Sequence, residues 1–272
     1  MTDSFDKVAS HYGAAGIGER ILAALQEEGI DIDALTPKIL SPFDQFHTRG
    51  ILATREHADL AAPTEDMHVL DVGCGIGGPA RYLASTYGCR VTGVDLTEEF
   101  VAVAKMLTER CRLDHFVDFQ QANGLDLPFD DASFDMVWCQ NVTMNIEDKA
   151  AFYREIARVL KPGGRFTSTE MATGAAGPPH FPLPWARVPE ISFLAPQEEM
   201  QAALEAAGFR IVEWRDTSAD VIAAAQSQTE RSRHGKLGIS LIAGADTPER
   251  VANSGRSLAE GRLANVMMVA EK

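Results

Sequence analysis

Beyond about residue 64 the chain alternates short apolar runs with stretches of helical period, and that alternation restricts it to very few architectures. The first run, Val69-Leu70-Asp71-Val72, is followed by a helical stretch from about Pro79 to Tyr87. Arg90 to Asp95 forms the next strand, and a helix then runs through Val101, Ala104 and Leu107, with Thr97 as its cap and Glu98 and Glu99 in its first turn. Further strands are expected at Val117 to Gln120, Phe134 to Cys139 and Arg165 to Thr169. A helix from about Glu147 to Leu160 separates the last two and stops at Pro162-Gly163-Gly164. Strands and helices of these lengths predict an α/β fold with a mostly parallel sheet, helices on both faces, and ligands at the carboxyl ends of the strands.

Before residue 64 the period is helical at Ile21, Leu22 and Leu25 and again from Leu52 to Leu60, with a loop expected from Thr36-Pro37 to Gly50. We therefore expect a helical cap over residues 1–63 and one main domain over 64–272. Phe181, Trp185 and Phe193 in and beside the Gly/Pro-rich stretch mark a lid near 173–195. A helix from Gln197 to Ala206 and a strand from Phe209 to Trp214 precede a helical insertion near 217–260 that holds two helices. A final strand, Leu263 to Ala270, is expected to run antiparallel on the sheet edge.

Composition removes several classes of function. A formal net charge of -14 without a Lys/Arg cluster repels phosphate backbones and anionic lipid, so nucleic acid is not expected as a partner. No apolar run approaches the ~20 residues of a membrane helix, and Met1 to Asp6 lacks the features of a signal peptide, so a cytoplasmic address is the expectation. Cys74, Cys89, Cys111 and Cys139 form no C-x-x-C pair and read as reduced thiols. His57, His68, His115, His180 and His234 lack the spacing of a metal site, and no metal is expected.

The decisive motif lies between the first strand and the first helix of the alternating region: Asp71-Val72-Gly73-Cys74-Gly75-Ile76-Gly77-Gly78. Glycines there let the chain turn sharply and let a ligand approach the main chain. Gly73, Gly75 and Gly78 also meet the G-x-G-x-x-G spacing of dinucleotide sites, with Asp95 about where a ribose-binding acid belongs. Asp71 argues the other way, because a carboxylate two places before the first glycine repels a pyrophosphate and suits an ammonium. Asn123-Gly124-Leu125-Asp126-Leu127-Pro128-Phe129, followed by Ser133 to Val137, closes the far side of the pocket.

In this order, from about residue 66 to 172, these segments resemble the class I S-adenosylmethionine-dependent methyltransferases. The resemblance implies a Rossmann-like seven-stranded sheet, S-adenosyl-L-methionine as cofactor, S-adenosyl-L-homocysteine as product and a small-molecule methyl acceptor. It further implies that Gly73 and Gly75 line the methionine part, Asp95 binds the ribose, Leu96 covers the adenine, and Asn123 meets its amino group. Related sequences more often carry Asp-Ala where this chain has Asn123-Gly124. An amide oxygen still accepts from an amino group. An N-terminal tyrosine often closes over the cofactor in related enzymes, a part open to Tyr12. Gln140, at the carboxyl end of the fourth strand, falls beside the methionine portion.

Methyl transfer from a sulfonium is an in-line displacement in which orientation alone supplies about 7–11 kcal/mol, and a base helps without being obligatory. His47, in Phe46-His47-Thr48-Arg49-Gly50, is the first candidate base, and Glu170 is a second candidate that could orient a cationic acceptor. Trp185 could stack on an alkylammonium. Asp44 to His47, Gln140 to Asn145, Pro184 to Ala186 and Ser192 to Leu194 are similar to bacterial sarcosine and dimethylglycine N-methyltransferases. The first expectation is thus N-methylation of a small amine or amino acid. The alternatives are O- or C-methylation of an aromatic metabolite or quinone precursor, which an acceptor pocket without charge-binding residues would favour, and a non-catalytic binding module.

Overall fold

The computed structural model describes residues 16–231 and 237–272. Tyr12, His11 and His234 lie outside the described residues.

Among the described residues, three helices precede the sheet: α1 (Ile17–Glu27), α2 (Pro37–Asp44) and α3 (Ile51–Ala61). The α2 segment departs from the expected loop. Thr36 accepts a hydrogen bond from Ile39 N through its hydroxyl and Pro37 opens the helix, so a Thr-Pro pair read as loop chemistry is instead a helix start. The alternating region then supplies β1 (His68–Val72), α4 (Gly78–Tyr87), β2 (Arg90–Asp95), α5 (Glu98–Arg110), β3 (Val117–Gln121), β4 (Phe134–Gln140), α6 (Lys149–Val159) and β5 (Leu160–Thr173). After it come α7 (Gln197–Ala206), β6 (Arg210–Asp216), α8 (Ser218–Arg231), α9 (Ser240–Ala243), α10 (Thr247–Ala259) and β7 (Leu263–Glu271).

The strands form one seven-stranded sheet in the order β3-β2-β1-β4-β5-β7-β6, in which only β7 runs antiparallel to its neighbours. The C-terminal strand is therefore antiparallel as expected, but it is not at the edge. It is inserted between β5 and β6, where eight of its nine residues are buried, and β6 takes the edge. Its continuous apolar run fits that central place better than an edge.

Some boundaries also move. Asp148 accepts from Ala151 N, so α6 begins after Asp148 and not at Glu147. It ends at Val159, and the Pro162-Gly163-Gly164 stop lies inside the extended chain of β5, which continues to Thr173. Glu170 thus sits within β5 and not after it. Among its described residues the 217–260 stretch holds three helices, one of them only four residues long.

Cores lie on both faces of the sheet. Leu70, Val72, Val137 and Cys139 pack with Phe152, Ile156 and Phe166 on one face; Val69, Met136 and Trp138 pack with Ala58, Ala80, Leu83 and Phe119 on the other. A third cluster joins α1 and α2 to α5, Ile76 of the glycine turn and Ile242 of α9. Glu99 of α5 accepts from Ile17 N, capping α1 from another element.

Candidate active site at the carboxyl ends of the strands

β1 delivers the chain into a turn in which Gly73, Gly75 and Gly77 all have positive φ (74°, 53° and 81°). The turn is pinned to β2: Gly73 N and Cys74 N both donate to Val94 O, and Gly75 N donates to Asp95 Oδ2 at 2.9 Å. Asp95 Oδ1 accepts from Thr97 N, so this carboxylate organises the glycine turn and the start of α5 together. Thr97 itself makes no side-chain cap; its main-chain N–H is the partner. A methyl group at Gly73 would lie 2.3 Å from Val142 Cγ2, so Gly73 is required by the neighbouring loop as well as by its φ.

Asp71 is 2% exposed and its Oδ2 has no hydrogen-bond partner. Burial, and secondarily the nearby Asp95 charge, raises its pKa to about 8. In strand register Asp71 is level with Trp138 of β4, which is level with Thr167 of β5, so the three share one face. Two residues further along β4 stands Gln140, 8% exposed. The indole N–H of Trp138 can only donate, and it donates to Gln140 Oε1 at 3.0 Å. That contact fixes the amide so that Nε2, a buried donor without a partner, is left presented. A buried acceptor and a buried donor, each unmatched on adjacent strands of one face, complement the ammonium and carboxylate of an amino-acid moiety.

At the end of β3, Asn123 Oδ1 accepts from Leu125 N at 3.0 Å, an Asx turn that uses one of the two lone pairs expected to meet an adenine. Gln121 Nε2 donates to Leu96 O and Ala122 N to Asp95 O, tying this edge to the end of β2. A methyl group at Gly124 would come within 3.0 Å of Phe152 Cε2, so a larger residue there would require that ring to shift.

The remaining sequence candidates are placed differently from expectation. Glu170 is 1% exposed and its carboxylate is saturated: Oε1 accepts from Ser168 Oγ and Cys139 Sγ, and Oε2 from Val142 N and Thr143 N. Alternation along β5 turns it to the face opposite Thr167 and Thr169, away from Gln140. It holds the loop after β4, in which Asn141 has φ 56°, and carries Val142 onto Gly73. Trp185 is 3% exposed, packs with Met144, Met171, Leu183, Val221 and Leu258, and donates through Nε1 to Ser192 Oγ. The indole lies in the core that joins the 173–195 segment to α8 and α10.

His47 is 8% exposed, with Nε2 lying 2.9 Å from Thr54 Oγ1 and 3.2 Å from Gln45 Oε1. Thr54 donates to the same Gln45 oxygen. Burial lowers the His47 pKa to about 4, so the ring is neutral at physiological pH. From Gln45 the network continues through Asp44 to a fully buried ion pair with Arg81 of α4 at 2.9 Å, and Arg81 donates onward to Thr108 of α5. Nothing in the sequence pointed to Arg81. Phe46, between Gln45 and His47, lies 3.2 Å from where a Gly75 side chain would begin.

Among the described residues no three His, Cys, Asp or Glu side chains come together as a metal site, and no helix is long and apolar enough to cross a membrane. A cleft of about 460 Å³ beside Lys149, Phe193 and Glu199 contains none of the glycine-turn residues.

The methyltransferase-domain family matches residues 70–168, the span from β1 through most of β5. An O-methyltransferase of Aspergillus nomiae is 32% identical over 171 residues, covering 61% of this chain and 75% of that protein. The sarcosine/dimethylglycine N-methyltransferase of Halorhodospira halochloris is 39% identical over 105 residues, 39% of this chain and 38% of that protein. The chain spans less than two thirds of the length of many curated relatives it matches, 24–62% for five of them. Among solved structures, the [4+2]-cyclase SpnF superposes with a TM-score of 0.67 at 25% identity, covering 88% of this chain and 93% of that one. Phosphoethanolamine N-methyltransferase 2 of Haemonchus contortus, solved with S-adenosyl-L-methionine, superposes with a TM-score of 0.68 at 21% identity, covering 87% and 57%. By sheet order, glycine turn and matched family alike, the chain belongs to the class I S-adenosylmethionine-dependent methyltransferases.

Proposed function

We propose that this protein transfers the methyl group of S-adenosyl-L-methionine to a neutral small molecule, and that the acceptor attacks through oxygen. When bound, the cofactor supplies an electrophilic methyl carbon on a sulfonium. The protein's part is to bind and orient. In this reading Asp71 receives the amino end and Gln140 Nε2 the carboxylate, with the main chain of Gly73 and Gly75 between them. Asp95, whose oxygens keep lone pairs beyond those used by Gly75 N and Thr97 N, takes the ribose; Leu96, Asn123 and Gly124 border the adenine.

The observation that carries the choice of acceptor is the absence of an open charge where one was expected. The amine reading rested on Glu170 and Trp185 as well as on the resemblance of four segments to sarcosine and dimethylglycine N-methyltransferases. Glu170 is saturated and faces away, and Trp185 is packed inside the lid core with its N–H engaged. His47 is neutral and tied to Thr54 and Gln45, which makes it an orienting group in a network and a poor proton acceptor. The acceptor oxygen gains the methyl group as the sulfur–methyl bond breaks, its hydroxyl proton passes to solvent because no side chain is assigned as base, and rate enhancement rests mainly on holding acceptor and donor in line. The O-methyltransferase similarity extends over 171 residues, against 105 and 137 for two sarcosine/dimethylglycine enzymes, in keeping with this choice. The second reading, N-methylation of a small amine, is favoured by the 39% identity to the first of these in the matched core. We further propose residues 1–63 as a cap and 173–195 as a lid on the main domain.

Incubation with methyl-labelled donor and separate panels of phenols, alcohols and small amines tests the proposal. Label is expected on oxygen acceptors. Transfer confined to amines would replace it with the second reading, and cofactor binding with no transfer to any panel would return the non-catalytic binding module.

A further inference from the structure

We infer that Thr169 is the acceptor-orienting residue, and that its hydroxyl marks a subsite for a neutral, hydroxyl-bearing group on an otherwise apolar molecule. This inference rests on the proposed function and narrows it.

Thr169 is 2% exposed, and its Oγ1 is buried without a hydrogen-bond partner. It stands level with Gln140 in the β4–β5 register, on the same face as Asp71, Trp138 and Thr167. Three unmatched buried polar atoms thus occur on three neighbouring strands of one face: Asp71 Oδ2 on β1, Gln140 Nε2 on β4 and Thr169 Oγ1 on β5. The first two complement the two ends of an amino-acid moiety. The third lies one strand farther from the glycine turn, and a hydroxyl buried without a partner is destabilising unless a ligand supplies one.

Its surroundings define the ligand. The α3 helix and the turn before it run antiparallel along β5: Arg165 reaches Ala61 O, His57 Nε2 lies 2.6 Å from Thr167 Oγ1, and Thr48 Oγ1 contacts Met171 Sδ. Thr169 falls between the last two contacts. Beyond it Met171 leads into the apolar cluster with Met144, Leu183 and Trp185. His57, fully buried with its pKa well below the ordinary value, and His47 are both neutral. A hydroxyl flanked by uncharged groups and thioethers pairs with an acceptor's own hydroxyl or carbonyl, and no charge beside it offsets the desolvation of an ammonium or carboxylate.

The test compares Thr169→Val, which keeps shape and removes the hydroxyl, with Thr169→Ser, which keeps the hydroxyl. The probe is the phenol or alcohol that the wild-type protein methylates fastest, and S-adenosylhomocysteine binding is measured by calorimetry on all three proteins. Thr169→Val is expected to lower kcat/KM for that probe about 10–100-fold with S-adenosylhomocysteine affinity unchanged, and Thr169→Ser to stay within about threefold of wild type. Equal kcat/KM in wild type and Thr169→Val would overturn the assignment and leave oxygen transfer standing. An equal loss of S-adenosylhomocysteine affinity in Thr169→Val would make it a cofactor residue. If the wild-type protein methylates no phenol or alcohol, both the oxygen reading and this subsite fall.

Discussion

Asp71 is a carboxyl group whose placement disfavours the free protein. Its folded-state pKa, raised to about 8, exceeds the ordinary 3.8, so folding takes up a proton between those values and this group makes stability fall as pH rises through that window. A ligand ammonium reverses the effect by favouring the ionised form. Asp71→Asn is therefore expected to raise the melting temperature of the free protein at pH 8 while weakening S-adenosylhomocysteine binding about 10–100-fold, the loss of one charge-assisted hydrogen bond. A thermal shift series with and without S-adenosylhomocysteine reads both effects; a variant with lower free-protein stability and intact binding would contradict this account of Asp71. Glu170 gives the opposite case, a buried carboxylate already satisfied. Glu170→Gln places an amide among donors and leaves at least one of them unmet, at a cost of about 1–3 kcal/mol. Activity is expected to fall while the shape of the pH–rate profile stays as in wild type. Loss of an ionisation from that profile would restore Glu170 as a base.

At the scale of elements, the buried Asp44–Arg81 pair joins the end of α2 to the helix that follows the glycine turn, and Thr108 extends it to α5. Removing one partner strands the other charge in the interior. Arg81→Met is expected to destabilise the fold by about 3–5 kcal/mol, and Asp44→Asn combined with Arg81→Met by clearly less, as measured by denaturant unfolding. Equal losses in the single and double variants would mean that the pair is not the coupling. The junction between α2 and α4 is also sterically tight: a methyl group at Gly78 would lie 2.2 Å from Asp44 O. Gly78→Ala is expected to push the Asp44–His47 segment off the turn, seen as new protease cleavage near residues 44–50, whereas an unchanged digest would show that the contact yields.

Over the whole molecule, legibility followed periodicity. The alternating region from β1 to β5 could be read because each strand is a short apolar run bounded by turn residues, and because the parallel order makes ligand-edge residues fall at strand ends. β7 was legible as a strand but not as an interior one, since a strand's neighbours are set by packing partners remote in sequence. Asp71, Gly73, Gly75, Asp95 and Gln140 converge on one end of the sheet because their positions are tied to strand termini. The roles of Glu170, Trp185 and His47 were not legible, because each depends on partners such as Thr143, Ser192 and Thr54 that only the folded chain brings near. Arg81 and Thr169 carry no sequence signal at all; burial alone distinguishes them.

The most direct measurement is calorimetric titration of S-adenosylhomocysteine into wild-type protein and into the Asp71→Asn, Asp95→Asn double variant, with nicotinamide dinucleotides as controls. Saturable one-site binding to the wild type, loss of about a hundredfold or more in the double variant, and no dinucleotide binding are expected. Unchanged affinity in the double variant, or preferential binding of a dinucleotide, would contradict the assignment of this turn to the methyl donor.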